Sequence, residues 1–143
     1  MIYMNRSPRG AGPPGYSETM PRTPETAQRV RGLTRTVMCV WRIEEDDAVL
    51  VMSELFANAV RHATGSVVRV IINRPDPDRV YLAVVDREPH QVPLLRDALP
   101  GDIHGRGLAL VDDLSDCWGY DLMGRVQRRW GKKVWAKMKT GAA

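Results

Sequence analysis

A chain of 143 residues with 43% hydrophobic content can bury one ordinary core, which excludes a disordered or fibrous protein. It holds a single Phe, so that core must rest on Val, Leu, Ile, Met and Trp. A formal net charge of +4 admits nucleotides, nucleic acid or acidic proteins as partners and chooses none of them, while no segment has the roughly 18 apolar residues of a membrane span.

Residues 1–21 carry Pro8, Pro13, Pro14 and Pro21 with Gly10, Gly12 and Gly15, and are expected to form a flexible arm with a short strand near Tyr16–Met20. No apolar stretch in this arm suits a secretory signal, so a cytoplasmic protein is expected. Cys39 and Cys117 lack metal-ligand spacing and are expected to be reduced, buried thiols.

Thr23-Pro24-Glu25 opens the first helix: Thr23 as cap, Pro24 in the first turn, Glu25 against the dipole. Val30, Leu33, Thr34, Val37, Met38 and Trp41 then form its apolar stripe. A second helix follows the acidic patch Glu44-Glu45-Asp46-Asp47 and runs to about Ala63, where Thr64-Gly65 ends it. It is apolar around most of its circumference and should lie between other layers. Glu54, Asn58 and His62 interrupt it every four residues and, with Arg61, fall on one arc of roughly 100°.

β-branched residues mark strands at Val67–Ile72 and Val80–Val85, joined by a turn at 73–78 and ending at Asp86. An irregular stretch from Arg87 to His104 contains Pro89, Pro93 and Pro100, and loops of that length usually serve a function. Gly105-Arg106-Gly107 precedes a short helix, Leu108–Leu114. Cys117–Met123 and Lys133–Met138 read as closing strands around a turn region, 124–131. The element order predicts an α+β fold with helices on one face of a mixed or antiparallel sheet.

Each polar feature has two readings. The helical stripe is either a solvated face or a site in which the Glu54 carboxylate deprotonates a hydroxyl and the Asn58 amide oxygen ligates a hard cation such as Mg²⁺. Asp86 either terminates its strand or accepts a hydrogen bond from an exocyclic amine. Gly105-Arg106-Gly107 is either a helix-opening turn or an anion cradle of backbone N–H groups reinforced by Arg106. No Gly-x-x-x-x-Gly-Lys-Ser/Thr loop and no Gly-x-Gly-x-x-Gly run occurs.

Taken together, Ser53-Glu54-Leu55-x-x-Asn58-Ala59-x-x-His62-Ala63, then Asp86, then Gly105-Arg106-Gly107-Leu108-x-Leu110-Val111, resemble the GHKL, or histidine-kinase-like, ATP-binding domain. Cys117-Trp118-Gly119 and Gly131-Lys132-Lys133-Val134-Trp135-Ala136 resemble the last strands of its small bacterial members, similar to anti-sigma-factor serine kinases. The resemblance covers roughly residues 23–138. It implies a Bergerat-type two-layer α/β sandwich over residues 22–139, after the arm 1–21 and before a tail 140–143.

The same resemblance implies ATP and Mg²⁺ as ligands, Glu54 as general base and Asn58 as metal ligand. Asp86 would read adenine, and His62, Gly105, Arg106, Gly107 and Leu108 would complete the nucleotide site beneath a lid at 89–104. The implied activity is phosphorylation of a serine on an anti-sigma-factor antagonist, by a protein that also sequesters a sigma factor; the family often dimerises. The alternative is a nucleotide-gated or degenerate protein-binding module without phosphotransfer.

The chain departs from the family pattern twice. Asp86-Arg87-Glu88-Pro89-His90 replaces Asp-x-Gly-x-Gly, bringing side chains where glycine would let backbone approach adenine, and Lys133 stands where a Thr is usual on the last strand. Arg125, Arg128, Arg129, Lys132, Lys133, Lys137 and Lys139 crowd the C-terminal hairpin. With Trp135 expected to face the core, stacking aromatics are too few for a nucleic-acid site, and a solvated basic surface is expected.

Overall fold

The amphipathic segments form helices on one side of a six-stranded sheet of order β1-β2-β3-β4-β6-β5, every neighbouring pair antiparallel. The computed structural model describes residues 2–5, 15–93 and 106–140. In chain order the elements are β1 (Ile2–Asn5), β2 (Gly15–Pro21), a 3₁₀ turn (Pro24–Thr26), α1 (Ala27–Trp41) and α2 (Asp46–His62). Strands β3 (Val67–Asp76) and β4 (Arg79–Asp86), helix α3 (Arg106–Leu114), and strands β5 (Cys117–Arg125) and β6 (Arg128–Lys139) follow. This is the expected α+β two-layer sandwich, with a wholly antiparallel sheet among the described residues.

Strand alternation decides which residues meet the helices. Val68, Val70 and Ile72 of β3, Val80, Leu82 and Val84 of β4, and Val134, Ala136 and Met138 of β6 are all buried on the helix side. Against them α1 buries Val30, Thr34, Val37 and Met38, and α2 buries Val51, Met52, Leu55, Phe56 and Ala59. As its apolar circumference requires, α2 packs against α1, α3, β4 and β6 at once.

Local chemistry sets the helix ends. The Thr23 hydroxyl pairs with the Thr26 hydroxyl at 3.0 Å and makes no backbone cap, so the expected helix opens as a 3₁₀ turn at Pro24. Helix α1 stops where Arg42 turns left-handed (φ 57°), with its N–H bonded to the Cys39 carbonyl and the Ile43 N–H to the Met38 carbonyl. Arg22 reaches across to the end of α2, donating to the Val60 carbonyl (2.8 Å), which the helix itself leaves unpaired, and to the Gly65 carbonyl just beyond it (2.7 Å).

Several expectations are corrected. The strand expected near Tyr16–Met20 is present as β2, but the segment around it is part of the sheet rather than a separate arm: β2 pairs with β3 along its length and buries Met20 and Glu18 between the layers, where Glu18 is paired with Arg29 of α1. The sheet thus begins before residue 22; residues 1, 6–14 and 141–143 lie outside the described residues. The β5–β6 turn is only Val126-Gln127, because the strands continue to Arg125 and resume at Arg128. Cys39 and Cys117 are both exposed.

Trp135 does not face the core. Val134 and Ala136 take the helix side of β6, so Trp135 must point outward, where it stacks on Tyr81 (centroids 6.2 Å apart) with Lys137 5.3 Å above its ring. Gly119, opposite it on β5, leaves room for the indole: a Cβ there would stand 2.9 Å from the ring. Lys133 shares this outer face, 5.6 Å above the Tyr81 ring. Burial pushes the Tyr81 phenol above its ordinary 10.0, against the opposing pull of Lys133.

Candidate functional site

Two of the predicted polar groups are buried. Asn58 is buried on α2, and Asp86 ends β4 on the helix side, continuing the row Val80, Leu82, Val84. The end of α2 is tied to the segment after β4: the Thr64 hydroxyl donates to the Arg87 carbonyl at 3.4 Å, and Gly65, at φ 85°, lies against the Arg87 side chain. The end of α2, one turn past Asn58, thus lies beside the segment that follows Asp86. Glu54 is half-buried one turn before Asn58, and His62 is exposed at the last turn of α2.

The Asp86 carboxylate, 1% exposed, is already engaged. Its Oδ1 accepts from the Glu88 backbone N–H at 2.8 Å and from the Lys132 ammonium at 3.0 Å. Lys132, fully buried, also donates to the Glu88 carbonyl at 2.8 Å. Asp86 Oδ2 stands 2.9 Å from the same ammonium but off a hydrogen-bonding direction, so it gains Coulomb attraction and remains a buried acceptor without a hydrogen bond.

Register and one glycine build this pair. Asp86 and Lys132 are direct partners in the β4–β6 ladder, both on the helix side. Gly131 lets the strands close there: a Cβ at that position would stand 2.1 Å from the Asp86 carbonyl oxygen, inside hard contact with backbone. The lysine facing Asp86 is thus Lys132, while Lys133 points the other way. Lys132 accordingly leaves the solvated basic surface assigned to it from sequence. Counting alternation back from Val134 would have found it; the density of basic residues concealed it.

Beside the pair, Thr64, Gly65, Arg87 and Trp130 line a cleft of about 580 Å³. Trp130 is half exposed, and Tyr120, Leu122 and Val126 add further exposed apolar surface along β5 and its turn. Strand β5 is an edge of the sheet, joined to α3 by the Trp118 indole N–H donating to Asp112 (2.9 Å).

The glycine-box residues are placed only in part. Arg106 and Gly107 open α3, two residues earlier than expected, and Leu108 lies half-buried within it. Gly105 and most of the expected lid, residues 94–104, lie outside the described residues. Among the described residues no three His, Cys, Asp or Glu side chains gather as a metal site. No helix is long and apolar enough to cross a membrane among those residues.

A family model described as the histidine kinase-like ATPase domain matches residues 20–137. The fold is similar to that of full-length ShkA, crystallised in complex with AMPPNP, with a TM-score of 0.54 and 21% identity over 88% of this chain. The match covers 32% of the ShkA chain, so the present chain corresponds to about a third of that protein. No curated protein matches in sequence.

Proposed function

Because the chain belongs to the histidine kinase-like ATPase domain family, we propose that it is a regulatory protein whose nucleotide is ATP bound with Mg²⁺. The observation that carries this reading is the buried Asp86 carboxylate at the end of β4, whose following segment is tied to the end of the helix that buries Asn58. Burying such groups is costly unless something engages them; Lys132 compensates the Asp86 charge, and only Oδ2 still lacks a hydrogen bond. Asp86 Oδ2, an acceptor lacking a hydrogen bond, has the chemistry an exocyclic amine requires.

In this reading the Asn58 amide oxygen would hold Mg²⁺, a hard cation that would neutralise charge on the phosphates. His62, Arg106, Leu108 and the backbone at Gly105 and Gly107 serve the phosphate end, with the α3 N-terminus favouring negative charge. Glu54 takes the proton of a protein serine hydroxyl as its oxygen bonds to the γ-phosphorus, and ADP leaves. The acceptor is an antagonist of an anti-sigma factor, the kinase itself holds a sigma factor, and the working form is a cytoplasmic homodimer.

Calorimetric titration with Mg²⁺–ATP tests the binding step. Wild type should bind, and Asn58→Ala should lose the Mg²⁺-dependent part of the affinity; no heat with ATP or with a bare triphosphate removes the proposal. Phosphate transfer to a serine protein, unchanged in Glu54→Gln, would remove Glu54 as the base.

A second reading, a protein-binding module without phosphotransfer, is favoured by the Asp86–Lys132 pair and by the absence of glycine at Glu88 and His90. The exposed Tyr120, Leu122 and Trp130 beside the β5 edge would then be the docking surface. Binding of a partner that is independent of ATP and lost in Leu122→Asp selects it.

A further inference from the structure

We infer that Lys132 is a built-in competitor for the nucleobase, holding the base end of the site closed. The inference rests on the proposed reading of Asp86 as the base-facing carboxylate.

A carboxylate that reads an amine must offer an accessible oxygen with a free lone pair. Here Oδ1 is shared by the Glu88 N–H and the Lys132 ammonium, and Oδ2 is sealed with the ammonium 2.9 Å away. The ammonium is the charged counterpart of the amine that a purine would present, set against the same oxygens. It is attached covalently and fixed opposite Asp86 by the β4–β6 register, so it competes at a high effective concentration. An incoming amine is neutral and makes the weaker bond to a buried carboxylate.

Lys132 is also anchored on both sides of Asp86. Its third contact is the Glu88 carbonyl, and the Glu88 N–H closes back on Oδ1, so the turn after β4 and the ammonium hold each other in place. The Glu88 carboxylate in turn accepts the His90 N–H at 2.9 Å, fixing the next two residues. The sequence Asp86-Arg87-Glu88-Pro89-His90 thereby forms a receptor for the lysine. A segment rich in glycine would lack the Glu88 and His90 side chains but leave the backbone free to lie against a flat base.

The consequence is a site that takes the phosphates of a nucleotide and gains little from its base. Equilibrium binding of Mg²⁺–ATP and Mg²⁺–tripolyphosphate to wild type, Lys132→Thr and Lys132→Gln tests it, with circular dichroism confirming that each variant is folded. Wild type should bind the two ligands within about threefold of each other. Lys132→Thr should bind ATP about tenfold tighter than wild type, ~1.4 kcal/mol, with tripolyphosphate unchanged. Lys132→Gln keeps a neutral donor in place of the ammonium and should fall between; it carries the test if the threonine variant does not fold.

Wild type preferring ATP over tripolyphosphate by tenfold or more overturns the closed base end. So does a folded Lys132 variant that binds ATP no better than wild type, or less well, since Lys132 would then be indifferent to the base or assist it. Neither ligand binding to any of the proteins removes the nucleotide reading itself and the competitor with it, an outcome distinct from equal binding by all.

Discussion

Replacing Asp86 with Asn isolates the charge of the buried pair. Asparagine keeps the shape and one carbonyl oxygen, so the Glu88 N–H retains an acceptor while the fully buried Lys132 ammonium loses its counter-charge. Removing one partner of a buried pair costs about 3–5 kcal/mol, against about 5–15 kcal/mol of total stability for a domain. For a chain of this size that is a fall in Tm of about 10–15 °C. Lys132→Met, which strands the carboxylate, should cost a similar amount. The double variant Asp86→Asn with Lys132→Met removes both charges and should lose less than either single change, a coupling of at least about 2 kcal/mol. Thermal and urea unfolding followed by circular dichroism measure all four proteins, with constant m-values as the check on two-state behaviour. Single variants within about 1 kcal/mol of wild type, or a double variant equal to their sum, would show that water reaches the pair and would refute the argument from burial.

Gly131→Ala should destabilise by about 2 kcal/mol or more, because its Cβ meets the Asp86 carbonyl, whereas Gly32→Ala on α1, with nothing within 4 Å, should stabilise by about 0.5–1 kcal/mol; chemical unfolding of both checks the contrast. Arg22→Met should cost about 1–2 kcal/mol by freeing the Val60 and Gly65 carbonyls, with hydrogen exchange speeding first in the last turn of α2. Tyr81 should ionise above 10.0 in absorbance titration, and Lys133→Met should raise it further, since Lys133 favours the phenolate. The folded state holds this proton more tightly than the unfolded state, so its contribution to stability is complete below the unfolded pKa near 10 and is lost as pH rises through the folded value.

The strand at 16–20 was foreshadowed within an arm otherwise marked by Pro and Gly. Its burial depends on pairing with β3, some fifty residues away, which no local pattern records. Trp135 shows the opposite case: a large aromatic reads as core by type, yet its parity with Val134 and Ala136 sends it outward to Tyr81. Type preference is a tendency of single residues, whereas alternation on a paired strand is geometry.

By itself the sequence determined the helix and strand periods, the α+β class, the mostly apolar circumference of α2 and the strand end at Asp86, because these follow from the periodicity of apolar residues along the chain. Tertiary structure alone decided what Asp86 is bonded to. That required β6 to run antiparallel beside β4, Gly131 to let them close, and the register to set Lys132 across from the carboxylate. A pairing between residues 46 positions apart is a property of strand register, and register emerges only when the whole sheet assembles.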